Sequence, residues 1–423
     1  SRSAMPWNFG GTPRPNLPAG AMIEPMTHRH DLPPGLGPLT SLTHTHDGHT
    51  HTHVTSELPD GAPQRLHLRG VILPEGETRD LWLHDGVISF EPVADAITVA
   101  GEGFIMPGLV DAHCHVGLES HGAVSEERAE EHALTDREVG ALLLRDAGSP
   151  LDTRFLQDRD DLPKIIRAGR HIARPKRYSR NFAEEVEPDQ LVDEVVTQAE
   201  RGDGWVKIVG DWIDRDAGDL TPLWPTDVAK EAIEAAHEHG ARVTAHCFDE
   251  RSVAELVDAG IDGIEHGTGL EDDTIAAMAE NGTSLVPTMV NLENFPMFAA
   301  AGEAKFPRYA AHIMALYERR FETMGKAVDA GVPVYAGTDA GGVHGHGLIA
   351  GEIELLAKVG GNDFALGAAS WNARAWLGHP GIENGAPADL VVFADDPRVT
   401  ISVVREPVLI ILNGRVVGGS AAH

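Results

Sequence analysis

Histidine, lysine and aspartate side chains stand at the ends of apolar runs in the middle of this sequence. His113 and His115 occur in "GLVDAHCHV", where the alternation of a strand would put both imidazoles on one face, about 7 Å apart. Four further residues end later apolar runs: Lys207, His246, His266 and Asp339. Nitrogen and carboxylate donors of this kind suit Zn²⁺ or Mn²⁺. The six residues therefore predict a metal site if the fold brings them together.

A repeated β/α pattern would bring them together. Between residues 105 and 380, apolar segments alternate with segments of helical period. We expect eight strands: "GLVDAHCHV", "ALLLRDAG", "PKIIRAG", "GWVKIVG", "ARVTAHC", "IDGIEHG", "TSLVPTM" and "VPVYAGTDAG". Eight such units predict an α/β fold, a (β/α)8 TIM barrel, with its active site at the C-terminal ends of the strands.

Short alternating runs flank this middle part on both sides. Residues 63–104 include "LHLRGVIL" and "DLWLHDGVISF", and residues 381–423 include "ADLVVFADDP" and "EPVLIILNGRVVGG". We expect the two flanks to form one small β-sandwich domain. Residues 1–62, rich in Pro and Gly up to residue 40, are predicted to be a separate N-terminal arm.

The segments "GLVDAHCHV", "TAHC", "IEHG" and "GTDAGG", together with Lys207, resemble the amidohydrolase superfamily of metal-dependent (β/α)8 hydrolases. The resemblance covers about residues 63–423, including the ending "NGAPADLVVFADDP…VLIILNGRVV". Within that superfamily, "LRDAG" at residues 144–148, Lys207 and "GTDAGG" are most similar to the Xaa-Pro dipeptidase and prolidase-like branch. That branch also contains arylurea and ochratoxin-type amide hydrolases.

The resemblance implies roles for the six candidate residues. It implies two divalent metal ions, most simply zinc, with these ligands: His113, His115 and Asp339 for the first ion, His246 and His266 for the second, and Lys207, N-carboxylated, between them. An ammonium group cannot bind a cation, so a lysine among metal ligands must be neutral or converted to a carbamate. A metal-bridging hydroxide would attack a carbonyl, with Asp339 as general base and then general acid. The implied reaction cleaves an amide or related C–N bond, as in a dipeptide or an N-acyl amino acid.

A basic segment follows the third predicted strand. Between Leu162 and Ala183 it contains seven cationic residues and no acidic one: Lys164, Arg167, Arg170, Arg174, Lys176, Arg177 and Arg180. Arg170 in particular could bind a substrate carboxylate in bidentate fashion, whereas a solvated loop or a subunit contact is the alternative. We also expect His171, Tyr178 and His344 to contact substrate.

Charge and composition restrict the partners. The formal net charge of −31 disfavours nucleic acids and anionic membrane surfaces, because the mean field repels both. The start of the chain lacks the pattern of a signal peptide, and no run of 18 apolar residues predicts a membrane span. Two cysteines, Cys114 and Cys247, are predicted to be core thiols of a cytoplasmic protein. We expect a small-molecule amide as substrate and a homo-oligomer as the assembly.

Two other functions stay open at this point. Asp249 follows His246 closely, as an acid does in single-metal deaminases, so hydrolytic deamination of an aminated heterocycle is an alternative. A non-catalytic metal-binding protein is the other, suggested by the histidine-rich segment "SLTHTHDGHTHTHV" at residues 41–54. That segment predicts a β-hairpin around Asp47-Gly48, with His46 opposite His49 and His44 opposite His51. No residues elsewhere in the sequence complete a site with it, so we expect it to be peripheral to catalysis.

Overall fold

A computed structural model describes residues 40–46, 49–55 and 65–419, with side chains for residues 65–419. The rest of the predicted N-terminal arm, including its Asp47-Gly48 turn, lies outside the described residues. The two described segments of the arm pair as antiparallel strands, with His46 opposite His49 and His44 opposite His51. The predicted register of the hairpin is therefore confirmed.

The described chain alternates strands and helices. The strands are β1 (Thr40–His46), β2 (His49–Thr55), β3 (Leu66–Ile72), β4 (Glu77–His84), β5 (Val87–Ser89), β6 (Ile97–Ala100), β7 (Phe104–Pro107), β8 (Leu109–Glu119), β9 (Gly122–Ala123), β10 (Ala141–Asp146), β11 (Lys164–Arg167), β12 (Ile172–Ala173), β13 (Glu184–Glu185), β14 (Trp205–Val209), β15 (Asp211–Asp214), β16 (Asp219–Pro222), β17 (Arg242–Cys247), β18 (Gly263–His266), β19 (Ser284–Val286), β20 (Ala340–Gly342), β21 (Leu390–Phe393), β22 (Leu409–Leu412) and β23 (Arg415–Gly418). The helices are α1 (Glu126–Glu138), α2 (Leu191–Arg201), α3 (Thr226–Glu238), α4 (Glu250–Asp258), α5 (Asp272–Asn281), α6 (Met289–Leu292), α7 (Phe295–Gly302), α8 (Pro307–Asp329), α9 (Ile349–Gly360), α10 (Asn362–Ala369) and α11 (Trp371–Trp376).

Strands from both flanks meet in one sheet. Its order is β23-β22-β21-β7-β3-β4-β5, with β6 beside β3. Alternate side chains such as Leu66, Leu83 and Ile411 form a buried aliphatic cluster on one face. Side chains on the other face, including Phe393 and Leu412, pack into the main core. The flanks thus combine as expected, but hydrogen bonds join their strands into a single eight-stranded sheet where two separate sheets were expected.

The middle of the chain contains two parallel sheets that carry the candidate ligands. One has the order β11-β10-β8-β20, with β9 antiparallel to β8, and the other has the order β13-β12-β14-β17-β18-β19. Residues 333–336 lie between them: Leu285 N donates to Pro333 O on one side, and Ala112 N donates to Ala336 O on the other. The carboxyl ends of the strands bearing His115, Lys207 and His246 therefore face a common region.

Seven of the eight predicted segments contain an unbroken strand of these two sheets, and the eighth is interrupted. In "VPVYAGTDAG" an isolated bridge at Val334 is separated from the short strand β20. The break has a local cause, since Asp339 has φ 58° and both Thr338 N and Asp339 N donate to His113 O. A residue in the left-handed region cannot continue a regular ladder.

Two insertions rise above the carboxyl ends of the strands. The β15–β16 hairpin follows β14 directly, and helices α6 to α8 follow β19. Within the described part of the chain, no helix combines the length and apolarity needed to cross a bilayer.

Candidate active site

The structure brings the six candidate ligands together at the carboxyl ends of the strands. His115 Nε2 lies 2.9 Å and His113 Nε2 3.1 Å from Asp339 Oδ1. The two Nε2 atoms are 3.3 Å apart, and Lys207 Nζ lies 3.4 Å from His113 Nε2. The ring centroids of His246 and His266 are 4.7 Å apart, and His266 is 5.3 Å from the ring of His113. All six side chains are largely buried.

Two of these residues are held in an uncommon backbone conformation. His266 has φ 68° and Asp339 has φ 58°, in the left-handed region that residues other than glycine rarely occupy. Such a backbone conformation costs about 1 kcal/mol or more for each residue, and it persists only where the surrounding structure imposes it. The strain turns both side chains toward His113, which a regular strand would not do.

Protein atoms on the far side of each ring fix the orientation of three imidazoles. His113 Nδ1 is 2.7 Å from Glu265 Oε2, His115 Nδ1 is 2.6 Å from Gly148 O, and His266 Nδ1 is 2.7 Å from Thr288 Oγ1. An acceptor at Nδ1 keeps the proton there and leaves the Nε2 lone pair directed at the centre.

The donor set fits a divalent metal ion. His246 Nε2 is buried and has no hydrogen-bond partner among the described residues. Donor atoms of His113, His266 and Asp339 all lie within 4.8 Å of one another. A buried nitrogen without a partner costs free energy, which a metal–nitrogen bond would recover.

The electrostatics keep these groups in the forms that bind metals. Burial lowers the pKa of His266 to about 3 and that of His246 well below its usual value, so both rings are neutral. Burial alone would raise the pKa of Asp339, but His113 and His115 hold it well below its ordinary value, so the carboxyl is ionised. Burial also lowers the pKa of the Lys207 amine.

Glu265 is a functional residue that the sequence analysis missed. It is fully buried beneath the centre and pairs with Arg145 as well as with His113. Burial would raise the pKa of Glu265, but Arg145 and His113 hold it well below its usual range. The signal was available in "GIEHG", where a charged residue stands inside an apolar strand beside a candidate ligand.

Asn291 is a second missed residue. Its Nδ2 donates to Asp339 Oδ2 at 2.7 Å, and the side chain is buried in α6 just after β19. This bond fixes the carboxylate while Oδ1 faces His113 and His115. Nothing in the local sequence distinguishes this asparagine, because its partner lies 48 residues away.

A cleft opens above the centre. His115, His246 and Asp339 form its floor, and Asn291 lies beside them. Its walls are mainly aromatic and aliphatic: Leu118, Tyr178, Phe182, Trp212, Phe248, Phe298, Tyr309 and Val343. An apolar cleft with a few polar groups at its base is the usual form of a small-molecule site.

The four predicted substrate contacts have different positions. Tyr178 lines the cleft, with its ring 5.7 Å from that of His246. His171 is buried behind it, 5.6 Å from the ring of His115, and neither of its ring nitrogens has a partner among the described residues. His344 does not line this cleft; its Nε2 is 2.8 Å from Thr338 O.

Arg170 and its basic neighbours are directed elsewhere. Arg170 Nη1 is 3.0 Å from Glu184 Oε2, and Arg170 is not a cleft residue. Other arginines of the segment also have acidic partners: Arg167 with Asp203, Arg174 with Glu187, and Arg177 with Asp214. Arg170 thus pairs with an acid and does not line the cleft, and its role in binding a substrate carboxylate stays a prediction.

Comparison with known proteins identifies the family. The profile of the amidohydrolase family matches residues 104–417. The chain belongs to the amidohydrolase family. It is a metal-dependent amidohydrolase that acts on carbon–nitrogen bonds, and the family uses divalent metal ions.

Individual proteins are similar to this chain. An uncharacterised protein of Mycobacterium tuberculosis is 58% identical over 362 residues, which are 85% of this chain and 98% of the relative. Ochratoxinase of Aspergillus niger is 26% identical over 219 residues, 50% of this chain and 45% of that enzyme. The crystal structure of a Xaa-Pro dipeptidase with bound methionine has the same fold, with a TM-score of 0.72 at 22% identity, covering 84% of this chain and all 100% of the other.

Proposed function

We propose that this amidohydrolase cleaves an amide or related C–N bond of a small molecule, with two divalent ions, most simply zinc, and Asp339 as general base and then general acid. One observation carries the proposal. The Nε2 atoms of His113 and His115 converge on Asp339 Oδ1, whereas their Nδ1 atoms are occupied by other protein atoms. Such an arrangement directs free lone pairs at one point.

The proposed ligands follow from these positions. His113, His115 and Asp339 would hold one ion, and His246 and His266 the second. Lys207 would bridge both as a carbamate, since burial favours the neutral amine with which CO2 reacts. The unpartnered Nε2 of His246 supports its role as a ligand.

When bound, two such ions would lower the pKa of a water molecule and polarise the substrate carbonyl. The Asp339 carboxylate would take the proton from the attacking water and deliver it to the leaving nitrogen, so that the C–N bond breaks and a neutral amine departs. Asn291 would hold the carboxylate in place through both transfers.

We infer that the two parallel sheets are parts of one (β/α)8 barrel spanning about residues 105–380. The hydrogen bonds of residues 333–336 to both sheets support this closure, as does the fold shared with the Xaa-Pro dipeptidase. Residues 63–104 and 381–423 would then form the accessory β domain.

Asp249, the residue that suggested the deaminase alternative, does not line the cleft. Asp249 is the N-cap of α4 and accepts from Ser252 N at 3.0 Å, and Glu250 binds His312 and Arg319. Neither acid lines the cleft. Release of ammonia from an aminated heterocycle would nevertheless favour deamination.

Metal analysis together with amide hydrolysis tests the proposal. We expect about two ions per chain, carbamylated Lys207 and turnover that Asp339→Asn abolishes without loss of fold. One ion and an unmodified lysine would contradict the binuclear mechanism. Bound zinc with no activity on a broad amide panel would instead support a non-catalytic metal-binding protein.

The assembly and location stay predictions. Both cysteines are buried and free, and the cytoplasmic location is an expectation from the sequence. A homo-oligomer is expected, and light scattering of the full chain would test it.

A further inference from the structure

The walls of the cleft carry no positive charge. Among the described residues that line it, none is lysine or arginine. Four arginines of the nearby basic segment pair with acids outside the cleft, as Arg170 does with Glu184 and Arg177 with Asp214, and the exposed Arg180 does not line the cleft. A negatively charged substituent of the substrate would therefore find no cation on these walls.

The chemistry of the walls favours uncharged aromatic groups. Tyr178 and Trp212 pack edge to face at 4.7 Å, and Phe248 and Phe298 add apolar surface. Burial holds the Tyr178 phenol neutral by raising its pKa. Moving a carboxylate from water to such walls is costly when it is left unpaired, whereas an aromatic ring gains from burial and edge contacts.

The floor of the cleft is formed by the proposed metal ligands His115, His246 and Asp339. In the proposed function the metal ions polarise the reacting carbonyl. They are therefore not free to pair with an anionic group elsewhere on the substrate.

We propose that the substrate is a neutral amide bearing an aromatic group, and that the cleft discriminates against amides with a free carboxylate, such as dipeptides and N-acyl amino acids. This inference rests on the proposed function and narrows its substrate class. The aromatic substituent lies against Tyr178, Trp212 and Phe248, with the scissile amide at the floor.

A pair of compounds that differ only in charge tests the inference. N-Benzoyl-L-phenylalaninamide and N-benzoyl-L-phenylalanine release the same product, benzoate, from the same amide bond. With the metal-loaded full chain, we expect kcat/KM to be at least about tenfold higher for the neutral compound. Calorimetric titration of both compounds into the Asp339→Asn variant gives the same comparison without turnover.

Variants of Val343, at the mouth of the cleft, test whether an added cation changes the preference for the neutral compound. Val343 lines the cleft and is 43% exposed, so Val343→Arg would supply a cation with little risk to folding. We expect Val343→Arg to shift the ratio of kcat/KM toward the acid by about tenfold, and the matched Val343→Gln to leave the ratio unchanged. Arg170→Gln should also leave the ratio unchanged, because Arg170 faces Glu184.

The outcomes separate the two proposals. Equal or better binding or turnover of the acid, or a loss of acid turnover specific to Arg170→Gln, would overturn the neutral-substrate inference. Failure of both compounds to bind would overturn it as well. Tight binding of the neutral compound with no benzoate released by any metal-loaded form would retain the inference about the cleft and refute the hydrolytic function.

Discussion

His312 is expected to make the stability of this enzyme depend on pH. It lies on α8, where Nδ1 is 2.9 Å from Asp219 Oδ1 and Nε2 is 2.9 Å from Glu250 Oε2. The Glu250 hydrogen bond, assisted by Asp219 against the opposing effect of burial, raises the pKa of His312 to about 9. Arg319 also pairs with Glu250, and Arg308 lies 4.0 Å from Asp219. The charged histidine thus joins the β15–β16 hairpin to helices α4 and α8.

The sign and size of the effect follow from linkage. Because the folded-state pKa lies above the ordinary value near 6.5, the contribution is complete below about pH 6.5 and is lost as pH rises through 9. The difference between the two pKa values corresponds to at most about 3 kcal/mol. His312 is 20% exposed and its partners are near the surface, so solvent screening reduces this to about 1–2 kcal/mol.

Urea unfolding at pH 6 and pH 10 measures the contribution. His312→Gln keeps a polar side chain but cannot carry the charge, so we expect it to lower the free energy of unfolding by about 1–2 kcal/mol at pH 6 and by much less at pH 10. The exposed His121 provides the control, since His121→Gln should have a small effect at both pH values. An equal loss for His312→Gln at both pH values would refute the charge argument and leave only lost packing.

Three further predictions concern the active site. Deleting residues 41–54 should leave kcat/KM within about twofold, whereas His115→Ala should abolish turnover; loss of turnover in a folded deletion variant would mean that the roles of the two histidine motifs are reversed. Asn291→Ala removes a hydrogen bond to a carboxylate worth about 1.5–3 kcal/mol, so kcat should fall roughly 10- to 100-fold with little change in KM; an unchanged kcat would argue against positioning of Asp339. Glu265→Gln should weaken metal affinity about 10- to 100-fold in a chelator competition assay, and unchanged affinity would contradict its role in orienting His113.

The sequence itself identified the candidate metal-binding residue types that the fold brings together. Local periodicity predicts the His-x-His pair, because a strand fixes which neighbouring side chains share a face. It also predicts the single candidate ligands that stand at the ends of later apolar runs. Seven of the eight expected strand segments contain an unbroken strand for the same reason. The interruption of the eighth segment cannot be predicted from local periodicity, because the left-handed conformation of Asp339 depends on its contacts with His113 in another strand.

Only the tertiary structure shows which residues surround the candidate metal ligands and which side chains line the cleft. Glu265 lies 152 residues from His113 in sequence, and Asn291 lies 48 residues from Asp339. The basic segment contains no acid of its own, yet Arg177 meets Asp214 across 37 residues. Local patterns determine which residue types stand at the strand ends. The three-dimensional fold decides which distant charges neutralise one another, and here it leaves aromatic walls above the candidate metal ligands.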